Sequence, residues 1–198
     1  MMAFKGFTPD LTSRLGDGIK KNCEFIPGET KRVENCKTTR SGFHCCEYPP
    51  DCLMHYGYRG NRFFRVEAAG NIDEDDGEKI AATEITLVEE LDAKSFAKYT
   101  MLYMLNHPKR ESWESSAFGV RVAKEKAEAN ESGHIAIARG KKARVKGVEG
   151  SVVGLLIENN KGEIVNCKLL VITSKYAKKW LTITEERKVR VLYEKEID

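Results

Sequence analysis

His44, Cys45, Cys46, Cys52 and His55 fall within residues 41–56, SGFHCCEYPPDCLMHY, on either side of Pro49-Pro50. Thiols and imidazoles at this density support three kinds of chemistry. A structural zinc site needs four ligands in tetrahedral reach, and His44, Cys46, Cys52 and His55 have paired spacing for one. His44 and Cys46 alternate onto one strand face, Cys52 and His55 share a helical turn, and Cys45 then points away. A cysteine nucleophile instead needs a thiolate, with His44 or His55 as base and Glu47 or Asp51 to orient it. The third reading is a packed core, because free cysteine is among the most buried residue types. All three stay open from the sequence, with core packing the default. No catalytic residue is assigned, a non-enzymatic role is expected, and zinc is the one cofactor considered.

Other patterns give weaker chemistry. Phe4-Lys5-Gly6, the 42–56 strand and helix, and Glu84 or Glu89-Glu90 follow the order of an ADP-ribosyl transferase loosely, but Lys5 stands where an Arg belongs. Residues 71–78, NIDEDDGE, imitate a calcium loop, yet Asp76 occupies its glycine position and Ala82 its closing carboxylate. A solvated acidic turn fits better. Residues 139–147, RGKKARVKG, alternate cations with small residues and suit phosphate contacts, with no aromatic among them to stack a base. A solvated face is the plainer reading of such a run.

A chain of 198 residues can bury one sizeable core or two small ones. Its net charge of +3 is uneven: residues 67–92 hold ten acids against Lys79, leaving the rest strongly basic. No apolar run approaches the roughly 20 residues of a membrane helix. Lys5 and Pro9 interrupt the opening MMAFKGFTPD, so a cytoplasmic protein with reduced thiols is expected.

The elements that must position these residues read as α+β. Strands are expected near the N-terminus, at 43–46, 61–68 and 80–88, with a short helix after Pro49-Pro50 capped by Asp51 and facing Leu53, Met54 and Tyr56 inward. Residues 70–78 read as a turn. The clearest helix covers 93–106, with Phe96, Tyr99, Leu102, Tyr103 and Leu105 at helical spacing and Pro108 as its stop. Beyond a polar stretch, short alternating pieces follow, and Gly140, Gly147 and Gly154 recur every seven residues. That period suggests a solenoid-like roll or a meander. The organisation expected is an N-terminal mixed unit (1–91), a connecting helix and linker (92–117), and a β-rich unit (118–198).

Lys5-Gly6-Phe7, Asp10-Leu11, Cys36, SGFHCCEYPPD, Tyr56, Arg62, Val66-Glu67 and Gly70 together resemble a family of uncharacterised proteins from phages, prophages and gut bacteria. Residues 132–150, SGHIAIARGKKARVKGVEG, are similar to a later stretch of the same proteins, so the resemblance covers 1–91 and 132–195. Two departures stand out: a repeat array is reduced to FGVRVAKEKAEANE, and Cys45 and Cys52 replace ordinary apolar residues. Lys5, His44, Glu47, Tyr56 and Arg62 from the shared pattern, with Arg139, Lys142 and Arg144 from the basic run, are the candidate binding residues. The resemblance implies a phage or mobile-element protein, accessory or virion-associated, that acts on a protein partner or on copies of itself. The alternatives are an inhibitor of bacterial defence (an anti-CRISPR or a nucleotide-sequestering protein, with nucleic acid or nucleotide as partner) and a transferase-like or cysteine-dependent enzyme.

Overall fold

Alternation of large apolar residues builds the first part of the chain. The computed structural model describes residues 1–13, 23–38, 40–75 and 79–196. The chain is mostly strand and divides into two compact units, residues 1–92 and 93–198. Among the described residues no helix is long and apolar enough to cross a membrane.

In the first unit, β1 (Met2–Phe7), β4 (Thr30–Arg32), β5 (Phe43–Cys45), β6 (Arg62–Asp75) and β7 (Lys79–Glu90) form a five-stranded antiparallel sheet in the order β1-β6-β7-β4, with β5 also on β7. β2 (Thr12–Ser13) and β3 (Cys23–Glu24) make a separate ribbon. Ala3 and Phe7, then Phe64, Val66 and Ala68, then Ile80, Ile85 and Leu87 send alternate side chains into one core with Phe25, Phe43 and Cys45. Phe7 meets Phe25 and Phe64 edge-on at 5.0 and 5.7 Å, and Phe25 meets Phe43 at 5.9 Å. Each such pair adds about 1 kcal/mol beyond its buried area.

Two expectations for this unit are corrected. The turn placed at 70–78 begins later, because β6 runs on to Asp75. Gly70, at φ +75, absorbs a bulge between the Ala69–Glu84 and Ile72–Ala82 pairs, and the Thr83 hydroxyl fills the space a Cβ would need while accepting the Asn71 N–H at 2.9 Å. The helix after the prolines is a 3-10 turn, Pro49–Met54, that starts at Tyr48 without a side-chain cap. Its tighter winding turns Pro49, Pro50 and Cys52 inward and leaves Met54 73% exposed. Tyr56 lies just beyond it, against β1, where a Cβ on Gly6 would come within 2.7 Å of the tyrosine ring.

The second unit opens with α1 (Ala93–Asn106), at the bounds its periodicity predicts. The buried stripe is Phe96, Ala97, Thr100, Met101 and Met104, so Leu102 faces solvent and Tyr103 instead stacks on His107 at 4.1 Å. The stripe is turned from the expected one because unbranched methionines fit a close approach: Met101 Sδ would be 2.6 Å from a Cβ on Gly154.

A seven-stranded sheet follows, built from β8 (Ser115–Ala117), β9 (Val120–Ala129), β10 (Ile135–Gly147), β11 (Val152–Glu158), β12 (Ile164–Val171), β13 (Leu181–Ile183) and β14 (Val189–Val191). β9, β10 and β11 run parallel, with Val120, Ile135 and Val152 side by side. β9 turns at Glu125 (φ 62) and β10 at Gly140 (φ 153), after which Lys126–Ala129 of β9 pair with Arg144–Gly147 of β10. The Glu125 carboxylate holds this corner, accepting the N–H groups of Lys141 at 3.0 Å and Lys142 at 2.7 Å and filling the space beside Gly140. Small residues line the interior: Ala123, Ala127, Ala129, Ala136, Ala138 and Ala143, with Val145, Val153 and Leu155.

The seven-residue glycine period does not mark stacked positions. Gly140 pairs with Ile157, Gly147 with Ala129 and Gly154 with Ile137. Each glycine has its own cause: the Glu125 carboxylate, the Ser151 hydroxyl and Met101, respectively.

Candidate functional site

β5 and the 3-10 turn sort the His/Cys segment by side. Cys45 joins the main core, and burial pushes its thiol up to about 12. Cys46 is buried beside the turn, and its backbone pairs with Phe4 of β1 at 2.7 and 2.8 Å. A hydrogen bond with the Cys46 thiol, reinforced by burial, raises Cys52 well above the usual thiol range. Protonated thiols are poor nucleophiles. His44 is half-buried, and burial followed by the nearby Lys5 charge lowers its pKa. Burial, Lys79 and Lys5 lower His55 in the same direction, though its ring lies at the surface. Lys5 is 8% exposed and donates to the His44 carbonyl at 2.7 Å. The four ligands anticipated for zinc are not gathered: among the described residues no three His, Cys, Asp or Glu side chains form a metal-holding group.

The remaining candidates of this unit are tied to their neighbours. Arg62 grips Glu90 with two bonds of 2.7 Å and lies over the Phe64 ring at 5.5 Å. Glu89 pairs with Arg65 at 3.0 Å and Glu84 with Arg32 at 3.3 Å. The carboxylates of the transferase-like order are thus each held by an arginine. Asp73 of the acidic turn accepts the N–H and hydroxyl of Thr38, which keep its pKa below the usual range. Residues 76–78 of the calcium-like pattern lie outside the described residues. Glu47 is half-buried and Tyr56 buried.

The basic run is split by the Gly140 corner. Arg139 is 4% exposed, bonds Glu158 at 2.6 Å and the Pro108 carbonyl at 2.6 Å, and lies over the Trp113 ring at 5.2 Å. Lys142 and Arg144 belong to the second half of β10, where Lys142 is exposed and Arg144 half-buried.

A feature the sequence reading missed lies at the first strand of the parallel stack. A cavity of about 650 Å³ is lined by Phe118, Arg121, Lys126, Glu128, Glu131 and His134, among others. Phe118, 56% exposed, meets the His134 ring edge-on at 5.2 Å, and His134 reaches Glu131 at 3.5 Å. Arg121 stands in register with the buried Ala136 and Val153 on one side and with Ser116 of β8 on the other. The cavity borders an unpaired edge. The Ala129 carbonyl accepts from Val148 on the β10 side, whereas the Lys124 N–H turns the other way to Glu114 at 2.9 Å. Alternation therefore directs the backbone groups of Lys126 and Glu128 away from β10, and among the described residues no strand pairs with them.

Residues 1–99 match a family model described as a domain of unknown function, DUF7666. The chain belongs to this family. No curated protein and no solved structure matches it. The DUF7666 match takes in the whole His/Cys segment and ends inside α1, so the cavity and the unpaired edge lie beyond it. One sequence signal for that edge was available: Ala127 and Ala129 alternate with the charged Lys126 and Glu128, in phase with Ala123.

Proposed function

We propose that the protein is a non-enzymatic assembly module whose C-terminal unit pairs with a second copy of the chain. The observation that carries this reading is the edge at Lys126 and Glu128, with free backbone groups facing a cavity walled by the exposed Phe118. A strand added there gains backbone hydrogen bonds, and its side chains find an aromatic wall. The same unit carries complementary edges, since β12 and β14 are each paired on one side, and β12 exposes Val165 and Val171. Head-to-tail addition of copies would extend the stack. The parallel register of Val120, Ile135 and Val152 supports reading this unit as a short solenoid-like roll beside an α+β N-terminal unit. The buried, protonated thiols favour binding over cysteine catalysis. The resemblance to phage and prophage proteins favours a mobile-element setting, accessory or virion-associated, in the host cytoplasm or on the particle.

Sedimentation velocity over a range of concentrations tests the proposal. Association is expected to weaken in Glu128→Pro, which removes an outward N–H without touching the β10 ladder, and to persist in Glu128→Ala. A monomer at every concentration, or equal association in both variants, overturns it.

A further inference from the structure

Beyond its corner β10 carries Lys142, Arg144 and Lys146 at alternate positions, while Ala143 and Val145 point into the interior. Register extends this into a row across the sheet. Lys126 of β9 pairs with Arg144, and the antiparallel Val145–Leu181 pair brings Thr182 beside Arg144 and Trp180 beside Lys146. Arg190 of β14 lies next, opposite Thr182. Trp180 is flanked by the ammonium groups of Lys126 at 4.6 Å and Lys146 at 4.9 Å. The aromatic that the linear sequence denied to the basic run is thus supplied by Trp180, just ahead of β13.

Acidic partners are few. Lys146 pairs with Glu128 at 2.7 Å and Arg190 with Glu196. The Arg144 Nε is buried and has no hydrogen-bond partner among the described residues. Next to Leu192, whose N–H bonds the Trp180 carbonyl at 2.8 Å, Tyr193 is 75% exposed.

We propose that this outer face binds single-stranded nucleic acid, with Lys126, Lys142 and Arg144 on successive phosphates and Tyr193 as a platform for a base. Cations repeat about 6.6 Å apart along a strand and about 4.8 Å apart between strands, a spacing that follows an extended backbone. A cationic row along an extended sheet face suits a single-stranded backbone better than a duplex groove. This site shares Lys126 with the unpaired edge, but it uses that residue's side chain where the edge uses its backbone.

Fluorescence anisotropy with a labelled thymidine oligomer of about 20 nucleotides, titrated between about 50 and 200 mM salt, tests it. The wild type is expected to bind with strong salt dependence. Lys142→Ala combined with Arg144→Ala should weaken binding tenfold or more at the lower salt, on the order of what two lost phosphate contacts remove, and flatten the log–log slope by about 1.4. Lys142→Glu, at an exposed position, should weaken binding without disturbing the buried Arg144 Nε. Tyr193→Ala should weaken it about fivefold with the slope unchanged, since stacking carries no charge. Lys161→Ala, on the turn between β11 and β12, should bind as the wild type does. Absence of binding at low salt overturns the proposal, as does equal binding by the double variant. Displacement of the oligomer by polyglutamate as readily as by unlabelled oligomer also overturns it, marking the face as a surface for acidic protein.

Discussion

The two units differ in what fills their cores more than in how they pair charge, since Arg139–Glu158 and Lys146–Glu128 in the second match Arg62–Glu90 and Arg65–Glu89 in the first. In residues 1–92 four acids of the charged patch have partners: Glu84 with Arg32, Glu90 with Arg62, Glu89 with Arg65, and Asp73 with Thr38. Its core is a mesh of phenylalanines. In residues 93–198 the interior is mostly alanine, valine and leucine, and cations and strand-edge groups are left facing outward. Open strand-edge groups and a cationic row are what a partner can use, and the proposed binding rests on those of the second unit.

That contrast can be broken first at its strongest point. Phe64→Ala, in the aromatic core, should lower the stability of the first unit by about 3–5 kcal/mol, read from urea unfolding by circular dichroism. A loss below about 1 kcal/mol would mean the mesh is not what holds that unit together.

The close glycine approaches sharpen the comparison. Gly6→Ala drives a methyl group into the Tyr56 ring, which is pinned beside the 3-10 turn, and should cost about 1–3 kcal/mol. Gly154→Ala meets the flexible Met101 side chain most closely, with Ile137 next at 3.1 Å, and should cost less in the same urea-unfolding assay. The reverse order would contradict the packing described for both units.

Ion-pair removal gives a smaller effect. Arg62→Ala breaks a bidentate pair that is partly exposed, and a loss of about 0.2–1 kcal/mol is expected. Arg144→Ala breaks no pair and should leave the unfolding midpoint in place while altering binding.

The pH dependence is smaller still. His44 and His55 are held below the usual imidazole range, so between that range and their folded values the unfolded chain takes up protons that the folded chain does not. Stability should therefore fall as pH drops below about 6.5, and His44→Gln should make the fall shallower. An unchanged pH profile in His44→Gln would show that burial of this ring has no thermodynamic weight.

Much of this was legible in the sequence, and the failures have physical causes. α1 was readable because a 14-residue period ends at a proline, but its buried stripe was not, since Met101 and Met104 fit a gap that only the fold defines. The second half of β9 read as a polar stretch because an alanine-lined interior leaves a faint apolar signal among Lys124, Glu125, Lys126 and Glu128. The Arg139–Arg144 run looked like one surface because the corner at Gly140 is a backbone event with no side-chain signature. In the His/Cys segment Cys45 joins the main core and Cys52 sits on a 3-10 turn, where the sequence suggested a short helix capped by Asp51.

The most direct test of the assembly reading is hydrogen exchange of residues 126–129 followed as protein concentration rises. The account predicts that the Lys126 and Glu128 amides exchange quickly in dilute protein and become protected as copies associate. Fast exchange of both amides in a sample that is demonstrably associated would contradict it.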